Sequence, residues 1–228
     1  LKAELVGIAF SWERSTGYYL PFPENRNQSQ ALIFKLKPFF ESEKIKKIGH
    51  NLKYDIKVLT NYSVYVRGPL YDTMIAHYLI NPDGRHNLDF LAEKYLNYQC
   101  KPISDLIGPK GKNQKNMRDV LIENQKEYAV EDADITLQLK NCFDLLNKDI
   151  QNEKLLNEVE FPLIRILSKM ETEGFNLDSK FLGEMETDLN KEIKKIEKII
   201  FENAGESFNL SSPKQLGVVL FDKLKLVE

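Results

Sequence analysis

The sequence is poor in the residues that announce special chemistry: its 228 positions hold two cysteines, three histidines and one tryptophan. Cys100 and Cys142 lie far apart with no metal-type spacing, which argues against a disulfide framework and against zinc and fits a reducing, cytoplasmic setting. No apolar run approaches the roughly 20 residues of a membrane span. The opening LKAELVGIAF has neither the basic flank nor the cleavage pattern of a signal peptide, so no membrane partner is expected. An excess of charge is also missing. Lys and Arg number 32 against 34 Asp and Glu, a net charge of -2, so any binding to nucleic acid must come from local patches. An initiator methionine is absent too; with Leu1 already approaching a strand, the chain is expected to be a piece of a longer one. What is present, 42% hydrophobic and 29% charged residues, is the balance of an ordinary globular protein, which excludes disorder.

Periodicity organises the chain into two parts. LVGIAFSW (5–12) and GYYLPF (17–22) are strand-like runs around a short polar turn, which predicts a hairpin. ALIFKLKPFFES (31–42) has helical spacing apart from Pro38, KKIGHN (46–51) is a short strand end before a loop, and LKYDIKVLTNY opens a second helix near Asn51. YDTMIAHYLIN (71–81) reads as a third helix stopped by NPDGRH, and LDFLAEKYLN (88–97) as a fourth. Residues 101–116 read as a long surface loop, and a helix through YAVEDADITLQLKNCFDLLN closes this region. From Glu153 the pattern is almost wholly helical. Gly174 and Gly205 act as stop signals, with Ser212 as a cap and Pro213 in the following first turn. A boundary is therefore expected at 147–152, dividing a first domain, 1–150, from a helical segment, 151–228.

The stretch YAVEDADITLQL (128–139) carries the most informative anomaly. At about 100° per residue, Ile135, Leu139, Cys142 and Leu146 form an apolar stripe that also takes in Tyr128 and Asp132, with Glu131 at its edge and Asp134 facing away. A buried carboxylate costs several kcal/mol unless it is protonated, hydrogen-bonded, paired or set at a cleft. A helix end near solvent or a bond to a neighbouring loop would satisfy Asp132 as well as a functional site would. Asp55 in HNLKYD (50–55) adds to the pattern, because it opens a helix directly after a predicted strand end. Two aspartates on separate elements, one with a tyrosine a helical turn away, suit a hard divalent cation that takes oxygen ligands.

NLKYD and YAVEDAD resemble the second and third motifs of the 3′-5′ proofreading exonuclease domain of bacterial family A DNA polymerases. GRHNLDFLAEKYL (84–96) and GPKGKNQ (108–114) resemble the same domain between those motifs, and FNLSSPKQLGVVLF (208–221) is similar to the base of the polymerase thumb. The resemblance covers essentially the whole chain. It implies an α/β, RNase H-like mixed sheet flanked by helices, followed by an all-helical arm. It also implies a DEDD site of the tyrosine type, in which four carboxylates hold two Mg²⁺ or Mn²⁺ ions for phosphodiester hydrolysis. On that reading Asp132 and Asp55 are metal ligands, Tyr128 orients the attacking water and Asn51 helps to position the substrate strand. The expected partners are DNA, a single-stranded 3′ end at the exonuclease site and duplex at the thumb. The protein is expected to be a monomer associated with the bacterial nucleoid. The family's first motif, Asp-x-Glu on a central first strand, has no counterpart here, so that strand and half of the metal site are missing and this chain alone is expected to be inactive. A decayed exonuclease domain serving as a scaffold and a stand-alone RNase D type nuclease are the competing readings.

Other residues carry weaker signals. Arg85 and the loop lysines Lys110, Lys112 and Lys115 suit phosphates of a single strand, and equally suit a solvated loop. Asn209, Ser211, Ser212, Lys214 and Gln215 stand at a helix start that offers N–H groups and hydroxyls to a phosphate, although Ser212 suits a capping role as well. His50, His77 and His86 read as loop or helix-surface histidines rather than ligands.

Overall fold

A computed structural model describes residues 3–226. The chain divides into two compact units, Leu1–Gly174 and Phe175–Glu228.

The first unit opens with the expected hairpin, β1 (Gly7–Glu13) paired antiparallel to β2 (Thr16–Pro21). Its turn passes through Ser15 at φ 60. Helix α1 (Arg26–Phe40) begins where the Asn25 side chain accepts from the amides of Asn27 and Gln28, a side-chain cap that satisfies two free donors of the first turn. Pro38 lies inside its last turn, where only the end of the ladder is disturbed. Strand β3 (Lys47–Gly49) follows, then α2 (Leu52–Thr60). Strand β4 (Leu70–Asp72) pairs parallel to β3, with Gly49 opposite Asp72, and runs directly into α3 (Thr73–Ile80). The sequence pattern assigns all of 71–81 to a helix; its first residues are instead this strand. Helix α4 (Leu88–Leu96) comes next, the long loop holds a single helical turn, α5 (Ser104–Ile107), and α6 (Ile122–Asp149) follows.

Both kinds of strand pairing are present, in two separate two-stranded sheets among the described residues. Helix α6 spans them, packing on β1, β2 and β3 and also on α3 and α4. Its inward stripe supplies Ile135, Leu139 and Phe143 to the same buried core as Ile33, Val64, Ala76 and Leu91. Asn147, also on this face, is buried because its amide donates to the carbonyls of Ala76 and Phe143.

The first unit continues past 147–152, where the change in composition places a boundary. A helical stretch begins with α7 (Glu153–Leu155), widens into a π turn over Leu156–Glu160 and resumes as α8 (Phe161–Glu173). Pro162, which has no amide hydrogen to give, follows the π turn, a common way to accommodate an irregular ladder. Helix α8 buries Phe161, Ile164 and Ser168 and packs on α2 and β4. Lys53 and Lys57 of α2 both reach the Glu171 carboxylate, at 2.6 and 2.8 Å. These contacts make α7 and α8 part of the first unit, and Gly174, at φ 67, ends α8.

The second unit is helical. The Asp178 side chain caps α9 (Ser179–Ala204) by accepting from the Phe181 amide, and Gly205 ends it at φ 73. Phe208 meets Phe201 edge-on, and Lys223 pairs with Glu206. Ser212 caps the short α10 (Pro213–Gly217), with Pro213 in its first turn, before a π turn over Val218–Lys223.

Candidate active site

Helix α6 presents Tyr128 and Asp132 one turn apart, near enough for the phenol and the carboxylate to act on one another. Both side chains are half-buried. Burial pushes the Asp132 carboxyl up to about 7; the Tyr128 phenol opposes this, and the negative charges of Asp89 and Glu131 add to it. The Tyr128 phenol is raised by burial and by Asp132, so it stays protonated and available as a donor.

Asp55 lies in the first turn of α2, just beyond the end of β3. Dense protein around it raises its carboxyl toward about 7, with the charge of Asp72 adding to the push. The residue keeps solvent-exposed surface, so water screens part of this effect and the group is read as a weakened acid rather than a neutral one.

Neither carboxylate has a lysine or arginine among the charges that shift it. Hard oxygen donors with no cationic partner, one half-buried and one open to solvent, fit a divalent ion that keeps some of its waters. Among the described residues, no three or more His, Cys, Asp or Glu side chains are grouped to hold a metal.

The neighbours of Asp132 on α6 are committed elsewhere. Glu131 accepts from the Tyr98 hydroxyl at 2.6 Å and from the Lys101 amide at 3.0 Å, holding the start of the long loop. Asp134 does not face open solvent: it accepts from the Ser15 amide at 2.8 Å and from Gln138, which locks the left-handed hairpin turn onto α6.

His77 needs correction. His77 is fully buried rather than on the helix surface, with its Nδ1 2.7 Å from Nδ1 of His86 and its Nε2 3.0 Å from the Tyr95 hydroxyl. Burial, followed by the charge of His86, lowers it to about 4, so His77 is neutral at ordinary pH. His50 is likewise lowered by burial to about 4 and lies 2.9 Å from Thr73 Oγ1.

Of the residues expected to meet DNA, Asn51 is exposed in a left-handed conformation at φ 62 and ψ 47, immediately before α2. Arg85 and Lys112 are exposed on loops. In the second unit, Asn209 Oδ1 accepts from the Ser211 amide, Gln215 Oε1 accepts from the Asn209 amide, and Ser212 Oγ accepts from the Gln215 amide, so these polar groups brace the loop and cap α10. Lys214 is exposed beside them.

Sequence periodicity missed two carboxylates near the site. Asp72 is 1% exposed and was hidden inside an expected helix. Asp89, in the first turn of α4, acts on Asp132, Tyr128 and His50. Its position two residues after Asn87 reads in sequence as an ordinary helix-dipole acid.

A family model described as 3′-5′ exonuclease matches residues 1–149. The chain belongs to this 3′-5′ exonuclease family. A second model, DNA polymerase family A, matches residues 179–228. Among curated relatives, DNA polymerase I of Pseudomonas aeruginosa is 36% identical over 99% of this chain and 26% of its own length. That of Borreliella burgdorferi is 38% identical over 98% and 24%. The chain thus spans about a quarter of the length of the relatives it matches. A solved structure described as the POL domain of Pol1 from M. smegmatis in complex with DNA primer-template and dNTP superposes with a TM-score of 0.74 at 25% identity, covering 92% of this chain and 33% of that one. Brucella melitensis NrnC shares the fold at a TM-score of 0.56 and 22% identity, over 70% of this chain and 72% of its own. Among the described residues, no helix is long and apolar enough to cross a membrane.

Proposed function

We propose that this chain carries the 3′-5′ exonuclease site of a bacterial DNA polymerase I, trimming 3′-terminal nucleotides from a DNA strand. The observation that carries the reading is the Tyr128–Asp132 pair, a phenol and a half-buried carboxylate one helical turn apart inside the segment that matches the exonuclease family. Asp132 and Asp55 would hold Mg²⁺ or Mn²⁺, two ions in a site completed by further carboxylates. Such ions, when bound, supply an activated water and stabilise charge on the leaving 3′ oxygen. Tyr128, kept protonated, orients the attacking water with its hydroxyl. Asn51, exposed beside Asp55, and Arg85 and Lys112 on their loops are placed to meet the phosphates and sugars of a single strand.

In the second unit Asn209, Ser211, Ser212, Lys214 and Gln215 form the base of a thumb that follows duplex DNA, with the exposed Lys214 meeting phosphate. Polymerisation belongs to the whole protein, a monomer of the bacterial cytoplasm and nucleoid. Residues 1–228 contain no Asp-x-Glu pair, so this chain by itself is expected to hydrolyse DNA poorly or not at all.

The test uses the full-length gene product and a single strand labelled at its 5′ end. Mg²⁺ should produce a ladder of products shortened from the 3′ end, and EDTA should stop it. Shortening from the 5′ end alone, or none by a folded protein that polymerises normally, would favour the scaffold reading.

A further inference from the structure

Helix α2 has no cap of its own. Asn51, at its N-cap position, lies in the left-handed region and its side chain accepts nothing from the first turn. The free amides are satisfied from another element. Asp72, at the end of β4, accepts from the Leu52 amide through Oδ2 at 2.7 Å and from the Asn51 amide through Oδ1 at 3.1 Å. The same Oδ1 accepts from the amides of Met74 and Ile75, at 2.9 and 3.4 Å, capping α3. One buried carboxylate therefore fixes the starts of two helices. Thr73 adds to the clamp: its hydroxyl donates to the Gly49 carbonyl at 3.2 Å and lies 2.9 Å from His50 Nδ1. Every residue of the β3–α2 turn from Gly49 to Leu52 is thus tied to Asp72 or Thr73.

This turn leads directly to Asp55 and displays Asn51. We infer that Asp72 is a positioning residue for the exonuclease site, holding the β3–α2 turn in the conformation that fixes where Asp55 and Asn51 stand. The inference rests on the proposed exonuclease function. A left-handed Asn is only modestly disfavoured, so without the clamp the turn has other conformations open to it. Its relaxation would swing the first turn of α2, and outer groups that orient a metal ligand typically govern about 10–100-fold in metal affinity or activity.

Asp72→Asn separates the two jobs of the carboxylate. With the amide nitrogen in place of Oδ2, the retained Oδ1 still caps α3, while an N–H donor now faces the Leu52 amide. The full-length gene product carrying this change is compared with wild type and with Ile33→Ala, which opens a cavity at a sealed core position of α1. In metal-free protein, hydrogen exchange should rise for the amides of the β3–α2 turn in Asp72→Asn, while the first turn of α3 stays protected. The Mg²⁺ concentration for half-maximal degradation of single-stranded DNA should rise about 10-fold or more. Ile33→Ala should lower the melting temperature and leave that concentration unchanged.

Wild-type exchange at the turn, or an unchanged Mg²⁺ requirement in an active Asp72→Asn protein, would overturn the inference. An equal shift in Ile33→Ala would overturn it too, by showing that lost stability suffices. A wild-type protein that degrades nothing would remove the exonuclease reading itself, and this role with it.

Discussion

Replacing Asp132 by Asn should stabilise the metal-free protein at neutral pH. The folded state raises this carboxyl from 3.8 to about 7, chiefly by burial. Between those values the folded chain keeps a proton that the unfolded chain has already lost. Stability therefore falls as pH rises through the window from about 4 to 7, and the cost is complete above it. At roughly 1.4 kcal/mol per tenfold change in proton affinity, the ceiling is about 4 kcal/mol. Water reaching the partly accessible side chain reduces this to about 1–2 kcal/mol. Asparagine keeps the shape and can still accept from the Tyr128 hydroxyl, but it carries no charge. Urea unfolding of residues 1–228 in EDTA, at intervals from about pH 3 to 8, should show the two proteins nearly equal at the acid end, below the unfolded carboxyl's value. The variant should then pull ahead by about 1–2 kcal/mol at pH 8. The comparison isolates Asp132, because Asp55, also raised, titrates alike in both. A variant less stable than wild type at pH 8 would refute the claim that the ionised carboxylate is uncompensated.

Two further predictions concern the scaffold. Arg118 donates to the carbonyls of Leu5 and Phe22, at 2.6 and 3.1 Å, so Arg118→Met should cost about 2–3 kcal/mol in urea unfolding by leaving both acceptors without their charged donor. Glu171 is held down to about 2 by the hydrogen bonds of Lys53 and Lys57, so its contribution is present above the usual glutamate range near 4.5 and is lost as pH falls toward 2. Glu171→Gln should lower the melting temperature at pH 7 in low salt, and the difference from wild type should shrink at 1 M salt and below pH 3.

The parts of the fold legible in sequence are those whose signal is local. The hairpin, the seven longer helices among the described residues and the glycine stops at Gly174 and Gly205 follow from periodicity and capping, and the Tyr128–Asp132 pair follows from one helical turn. Strand β4 was hidden because three residues show no alternation and continue without a break into α3. That also concealed Asp72, since its amide partners Asn51 and Leu52 lie some twenty residues away. His77 looked like a surface histidine because its partners, His86 and Tyr95, come from a loop and from α4. Asp134 looked idle until the Ser15 turn came against it. The boundary at 147–152 marked a real change in composition, but an amphipathic stripe does not name its partner, and that of α8 lies on α2 and β4.

The most direct measurement is the rate at which full-length protein removes nucleotides from the 3′ end of single-stranded DNA in Mg²⁺, with Asp132 intact and as Asp132→Ala. The wild type should degrade the strand, and the variant should be slower by more than about 100-fold, beyond what loss of an outer supporting group gives, while folding and polymerising normally. A folded Asp132→Ala protein that degrades DNA at the wild-type rate would contradict the assignment of this site.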